Sequence, residues 1–423
     1  MADSVQSSAV PLSAFARSLK AETAFDVLGV AERLKARGKK IIELQIGDSP
    51  FPTPRSARAA GIRAIEANAT HYCSSLGLTA FREATAANYR REFGIEVSAE
   101  HVVVGSGAKV FEQFFCEAFL DPGDAVLVFT PHFPTYGPNI ERRGAHIVYS
   151  TLRQENQFRP DPNDVERFLR TTPRAKAIFL NSPHNPTGGV ATAQDLHNLA
   201  DLIRGRDVAV FSDEPYCHMA WTGKHYPLLA EPGVMDQVVS AYTFSKSYSM
   251  SGWRLGYAIT SPRLADTIGK MINTSLSCVA PFVQRAGEAA LEQDRAERDE
   301  VMLRFRQKVE LLVSDLRRVE GIHVLMPAGT FYAFPDVSVI CRRLGIRSHG
   351  LAMYLLEAAD DKIGVACLGG ECFGPAGQGF LRFSCAEPDE RLREAVAFLA
   401  EAVTWTERVE RYLTAKPEYR LNS

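Results

Sequence analysis

Apolar residues recur along this chain in two rhythms. Residues 101–104, 125–129, 146–149, 177–180, 208–211, 238–242 and 255–259 form short, nearly continuous apolar runs, the pattern of strands buried on both faces. Residues 110–119, 162–170 and 193–204 lie between several of these runs and carry helical spacing. Strands alternating with helices predict βαβ units and a mostly parallel sheet sandwiched by helices. Ahead of this region, residues 1–15 are small and polar and are expected to lack regular structure. Residues 25–37 read as a helix stopped by Gly38, and 41–46 as a strand ending at Gly47, before a Pro-rich turn over 50–54. Beyond it, 284–319 read as one long helix, 323–326, 330–334 and 379–384 as strands, and 349–358 and 387–410 as helices. The expected fold is therefore α/β. Residues 51–300 form a large domain around a seven-stranded sheet, residues 301–423 a smaller α+β domain, and residues 1–50 a segment that completes the smaller domain.

Composition narrows the functional classes. A chain of 423 residues with 46% hydrophobic content suits a two-domain enzyme. A formal charge of −2 gives no electrostatic footprint for nucleic acid or an acidic membrane surface. No apolar run is long enough to span a bilayer, and residues 1–8 carry no basic and apolar export signal. Eight cysteines show no paired spacing, and no His/Cys cluster suggests a metal. Cys73, Cys116, Cys217 and Cys278 sit among apolar or small residues, as free thiols in a reducing compartment do, so a cytoplasmic protein is expected.

The chemistry concentrates after the strands. Lys246 follows the run 238–242 and is boxed in by Phe244, Tyr248, Met250 and Trp253. Poor solvation disfavours an ammonium and leaves a nucleophilic amine, which can form a Schiff base with an aldehyde. Asn181–Gly189 follows the run 177–180, Ser212–Tyr216 follows 208–211, and Gly105–Lys109 follows 101–104 and opens a helix. Open α/β sheets bind ligands outside the carboxyl ends of their strands, so four such ends mark one crevice. Taken singly, each residue has a plainer reading. Asp213 and Asn185 suit turns, Tyr216 and Phe133 suit packing, and Arg382 between Leu381 and Phe383 suits a solvent-facing strand position. Gly105-Ser106-Gly107 is no dinucleotide fingerprint, because Val110 stands where a third glycine is needed.

Together, Asn181–Gly188, Ser212–Tyr216, Ser245-Lys246 through Gly256, and Leu381–Ser384 resemble the class I and II aminotransferases, the fold-type-I enzymes that use pyridoxal 5′-phosphate (PLP). The likeness runs from about Ile41 to Arg382. It implies that Lys246 is the Schiff-base lysine and that Asp213 holds the ring nitrogen cationic. It implies that Asn185 and Tyr216 serve the phenolic oxygen, with Tyr216 among the catalytic groups. Arg254, the helix-opening Gly107-Ala108-Lys109 and the hydroxyls of Thr243 and Ser245 match the phosphate site. Phe133 matches the residue that stacks on the ring. Arg382, the Gly47 amide and Asn185 border the amino-acid substrate. Tyr72 resembles a tyrosine that reaches the cofactor phosphate of the other subunit, which implies a homodimer with shared sites. Phe133, Tyr136 and Trp253 point to aromatic pocket walls.

The resemblance implies amino-group transfer between an amino acid and a 2-oxo acid. Related PLP reactions on the same motifs are β- or γ-elimination, cyclisation of a sulfonium substrate and oxidation by O2, and a non-catalytic binding or regulatory protein is a further alternative. Two segments depart from the family pattern. Asp48-Ser49-Pro50 stands where Glu-Pro-Asp is common, and Gly369–Gly374 lacks the usual Pro-Gly before Phe-Gly. Both bear on the substrate side chain more than on the cofactor.

Overall fold

The computed structural model describes residues 10–19 and 23–421. Residues 1–9, where no export signal is read, lie outside the described residues, and a short helix (Ala14–Ser18) begins inside the stretch expected to be irregular.

Seven strands form the central sheet: β2 (Val102–Gly105), β3 (Ala125–Thr130), β4 (His146–Thr151), β5 (Ala175–Asn181), β6 (Ala209–Asp213), β7 (Val238–Thr243) and β8 (Gly256–Ile259). Their order is β2-β8-β7-β6-β5-β3-β4, and β8 alone runs antiparallel to its neighbours. The inner strands are buried along almost their whole length, so their near-continuous apolar sequences reflect cover on both faces. On one face Phe115, Phe179 and Phe211 form a triangle, with ring centroids 5.5, 5.2 and 5.5 Å apart. The parallel register pairs Asn181 with Asp213, so both strand-end residues reach the same edge.

The N-terminal segment joins the C-terminal part of the chain. β1 (Lys40–Glu43) pairs in parallel with β10 (Ile363–Ala366). The β12 strand (Leu381–Ser384) lies between β9 (Tyr332–Ala333) and β11 (Leu368–Gly369), antiparallel to both. Leu44 stitches the two small sheets together: its N–H donates to Ala366 and its carbonyl accepts from Ser384, each at 2.8 Å. Among the described residues no helix is long and apolar enough to cross a membrane.

Three expectations need correction. The stretch 284–319 is two helices, Pro281–Gln293 and Arg295–Leu316, because buried Asp294 turns its carboxylate to the Ala57 amide (3.0 Å) instead of continuing the spiral. The stretch 387–410 likewise splits into Asp389–Ala402 and Thr406–Ala415, where Thr404 Oγ1 bonds back to the Glu401 carbonyl (2.7 Å) and Trp405 packs edge-on against Phe398. Residues 323–326 form no strand; only His323 bridges, to Asp336. Two main-chain bonds at one residue give no ladder for a strand to extend.

Phe211 is fully buried in the aromatic triangle. Phe211→Ala is expected to cost about 3–5 kcal/mol of stability through a cavity the sheet cannot close. A urea unfolding midpoint within error of the parent would contradict this packing.

Candidate active site

The carboxyl ends of β2, β5, β6 and β7 open onto one crevice of 480 Å³. Gly47, Ala108, Lys109, Phe133, Asn185, Asp213, Tyr216, Thr243, Ser245, Lys246, Arg254 and Arg382 line it. Gly107 stands directly behind Arg254. Tyr72, expected to serve a cofactor phosphate, lies away from this crevice and is 88% exposed.

Lys246 sits in a single helical turn (Phe244–Ser247) capped by Thr243, whose hydroxyl accepts from the Ser245 amide. Its amine donates to the Gly47 carbonyl and lies 5.8 Å from the Phe331 ring centre. Phe244, Tyr248 and Met250 are buried beneath the turn, and Trp253 turns away to donate to Thr53 Oγ1 at 3.0 Å. A buried polar line fixes the far side of the turn. Arg298 Nη1 donates to His218 Nε2 (2.9 Å), so the proton of neutral His218 is on Nδ1, which donates to Ser247 Oγ (2.9 Å). Burial first, and then the Arg298 charge, hold His218 well below the usual histidine range, consistent with that neutral form.

At one end of the crevice Arg254 adopts a left-handed conformation and donates from Nη2 to Ser106 O (3.0 Å) and from Nη1 to Ser251 O (2.7 Å). Gly107, at φ +88°, allows this approach: a Cβ there would fall 2.5 Å from Arg254 Nη2. The helix Lys109–Phe119 starts here, so amides near its N-terminus and a guanidinium face the same space. Thr243 and Ser245 add hydroxyls 2.9 Å apart.

Asp213 ends β6 and is buried. Tyr136 donates to its Oδ2 at 2.6 Å, and Asn181 Nδ2 approaches the same oxygen at 3.5 Å while donating to the Asp213 carbonyl at 2.8 Å. Burial pushes the Asp213 carboxyl up to about 7; the nearby Glu214 charge adds to this, while the Tyr136 bond, Lys109 and Lys246 oppose it. Tyr216 shares a hydrogen bond with Tyr332 (3.0 Å). Asn181 Oδ1 accepts from the Asn185 amide (2.8 Å) and so orients Asn185.

Arg382 does not face solvent, the plainer reading of its strand position. It is 4% exposed, 4.4 Å from the Tyr332 ring centre and 5.0 Å from that of Phe373. Nη1 donates to Asn185 Oδ1 (3.2 Å) and Nη2 to the Gln45 carbonyl, while Nε has no partner among the described residues. No carboxylate pairs with it among those residues.

The aromatic-wall expectation is corrected at two positions. Tyr136 lies behind Asp213 instead of facing the ligand space, and Trp253 is outside the lining. Sequence reading assigned no role to Asn181, Tyr332, Glu112 or Phe25. Asn181 was within reach, as the last polar residue of an apolar strand. Tyr332 and Phe25 come from segments distant in sequence, and nothing local to them marks a site. Glu112, buried in the first turn of its helix, accepts from Thr135 (2.6 Å) and Asn139 (3.3 Å).

Comparison with known proteins agrees with this geometry. The profile of the family described as aminotransferase class I and II matches residues 39–399. An aspartate aminotransferase of Pyrococcus horikoshii is 32% identical over 86% of this chain and 90% of its own. An arginine–pyruvate transaminase of Pseudomonas aeruginosa is 33% identical over 86% and 90%. The structure of an aspartate aminotransferase from Thermus thermophilus with maleate superposes at a TM-score of 0.86, with 30% identity, over 93% of this chain and all of that one. With strand ends, crevice and profile in agreement, the chain belongs to the class I and II aminotransferase family, and amino-group transfer is its chemistry.

Proposed function

We propose that this aminotransferase holds pyridoxal 5′-phosphate in the crevice and uses Lys246 as its covalent anchor and proton carrier. The arrangement that carries this reading is an amine and a buried carboxyl between two guanidinium groups, all facing one space. The residues fit the cofactor. A carboxyl pushed up to about 7 by burial stays ionised beside a cation, which a protonated ring nitrogen is. Arg254, the helix-opening amides near Gly107, Ala108 and Lys109, and the hydroxyls of Thr243 and Ser245 suit a phosphate dianion. Asn185 and Tyr216 suit the phenolic oxygen, and Phe133 the ring face. When bound, the cofactor supplies an electron sink for the pair left on the substrate Cα.

The rest of the chemistry belongs to the chain. Arg382 is a buried guanidinium without a carboxylate partner among the described residues, an arrangement that is costly until an anion arrives. The α-carboxylate of an amino acid or 2-oxo acid completes it, with the Gly47 amide beside it. That anchorage sets the Cα hydrogen before Lys246 Nζ, which removes it as general base. Ala24, Phe25 and Ile46 give the crevice an apolar wall that suits an uncharged donor side chain. A donor screen with pyruvate and 2-oxoglutarate tests this; preference for dicarboxylic donors would contradict it.

The reading extends to a homodimer in which Tyr72 reaches the neighbouring subunit's phosphate site. Tyr72 is supported there by its exposure and by exposed Ile62, Ile65 and Leu276, with the Tyr72 and Leu276 loops joined where the Cys73 amide meets Cys278 Sγ at 3.4 Å. Eight free thiols suit the reducing cytoplasm.

Three outcomes check this function. Borohydride treatment of PLP-loaded protein is expected to fix the cofactor on Lys246 in peptide mapping, and Lys246→Ala to abolish both adduct and turnover; an adduct on another lysine would overturn the assignment. Arg382→Ala is expected to lower kcat/KM for amino acids by roughly 10- to 100-fold, the loss of a charge-assisted hydrogen-bond pair, while PLP uptake is retained. The third concerns pH. In PLP-free protein the folded state raises Asp213 from 3.8 to about 7. The burial penalty on its charge is thus absent below about pH 4, grows with pH, and is complete above about pH 7. PLP-free Asp213→Asn is therefore expected to melt above the parent at about pH 8 and level with it near pH 4. A variant that melts lower at both would show that Asp213 is not under electrostatic strain.

A further inference from the structure

We propose that Tyr136 is a positioning residue for the Asp213 carboxylate, clamping Oδ2 so that the group stays ionised and correctly turned toward the ring nitrogen of the bound cofactor. The proposal rests on the PLP reading above and goes beyond it, because it concerns a side chain that does not touch the crevice.

The clamp is short and sheltered. Tyr136 is 2% exposed, and its hydroxyl donates to Asp213 Oδ2 at 2.6 Å. An O–H···O⁻ bond of this length belongs to the charge-assisted class, roughly twice as strong as a neutral one. The ring cannot swing away. It packs against Phe179 at 4.9 Å, lies nearly parallel to His132 at 6.3 Å and meets Phe133 edge-on at 5.9 Å. Burial, and next the Asp213 charge, hold the phenol well above its usual range, so it remains a donor wherever the enzyme works. Asn181 approaches the same oxygen from the neighbouring strand. Two donors on Oδ2 fix the rotation of the carboxylate about its own axis.

The charges around Asp213 make the clamp necessary. Burial and the neighbouring Glu214 favour the neutral acid; Lys109, Lys246 and the Tyr136 bond favour the ion. Glu214 is itself buried on three donors, His225 and Tyr242 at 2.6 Å each and Ser212 at 2.8 Å, and it stays close to Asp213 whatever the cofactor does. Without Tyr136, Asp213 is more basic and competes with the ring nitrogen for the shared proton. The ring then loses its positive charge. One short segment thereby performs two tasks, since Phe133 and Tyr136 stand a single turn apart at the end of β3.

The test is Tyr136→Phe in the PLP-loaded enzyme, with 15N in the cofactor ring. The expected nitrogen resonance moves from the protonated toward the unprotonated position, kcat falls roughly tenfold or more, the scale of one hydrogen bond to a charged group, and KM for the amino donor changes less than kcat. A purely structural role would lower the melting temperature and leave the nitrogen resonance in place. If Tyr136→Phe does not fold, a fluorinated tyrosine at position 136 keeps the shape and strengthens the donor; its ring-nitrogen resonance is expected further toward the protonated position than the parent's at the same pH. An unshifted resonance and unchanged kcat in Tyr136→Phe, or a fluorotyrosine enzyme whose resonance stays at the parent's position or moves toward the unprotonated one, would overturn the proposal while leaving the PLP reading intact. A parent enzyme that takes up no PLP would overturn both.

Discussion

A carboxyl group held out of water at the end of β6 is the constraint around which this site is arranged. Desolvation works against its charge, so the fold surrounds it with compensation: a tyrosine hydroxyl and an asparagine amide on the carboxyl itself, and lysine charges nearby. These groups come from β5, from the segment after β3, from the helix after β2 and from the turn after β7. The parallel sheet is what allows them to converge. In parallel strands all carboxyl ends lie on one edge, so a residue one step past each end meets its counterparts from the others. An antiparallel sheet would send alternate ends to opposite edges.

The other half of the site is built by long-range closure. Leu44 is hydrogen-bonded to β10 and to β12, and the next residues carry the carbonyls of Gln45 and Gly47 that receive Arg382 and Lys246. Residues separated by more than three hundred positions thus share one backbone segment. Phe25, from the helix that precedes β1, lines the crevice by the same route. Movement of the N-terminal segment would shift Arg382 and Lys246 together.

These two constructions explain what was legible in the sequence. Asp213 ends one apolar strand, Asn185 and Lys246 sit just past two others and Arg254 just before β8, where periodicity changes abruptly, and a change of rhythm is visible locally. The sheet, with its seven strands, was legible for the same reason: fully buried strands are continuous apolar runs. Tyr136 was read as a pocket wall and Tyr332 was given no role, because what each touches is set across the fold. Tyr136 in particular looks like one more wall aromatic until its hydroxyl is found on Asp213. The helix breaks at Asp294 and near Thr404 were missed because each depends on a hydrogen bond that replaces the helical one, and no glycine or proline announces it. Arg382 alternates with Leu381 and Phe383, a pattern that suits a half-exposed strand. All three are buried, because β12 is covered on both faces where the small sheets meet the crevice.

Arg382 and Asp213 share a physical logic. Each is an ionisable group buried with less compensation than its charge requires: among the described residues the guanidinium lacks a carboxylate, and the carboxyl lacks a cation in direct contact. Each would be better satisfied, as far as folding is concerned, by a neutral residue of similar shape. The surrounding structure over-determines them instead, stacking Arg382 between Tyr332 and Phe373 and locking Asp213 between Tyr136 and Asn181. Rigidity here means that the reorganisation is complete before the ligand arrives, so attraction to an incoming anion or cation is not spent on reshaping the site. The opposite signs at the two positions then fix which way round a ligand can lie. On the function proposed above, an anion goes to the Arg382 end and a cationic ring atom to Asp213, leaving the amine of Lys246 between them.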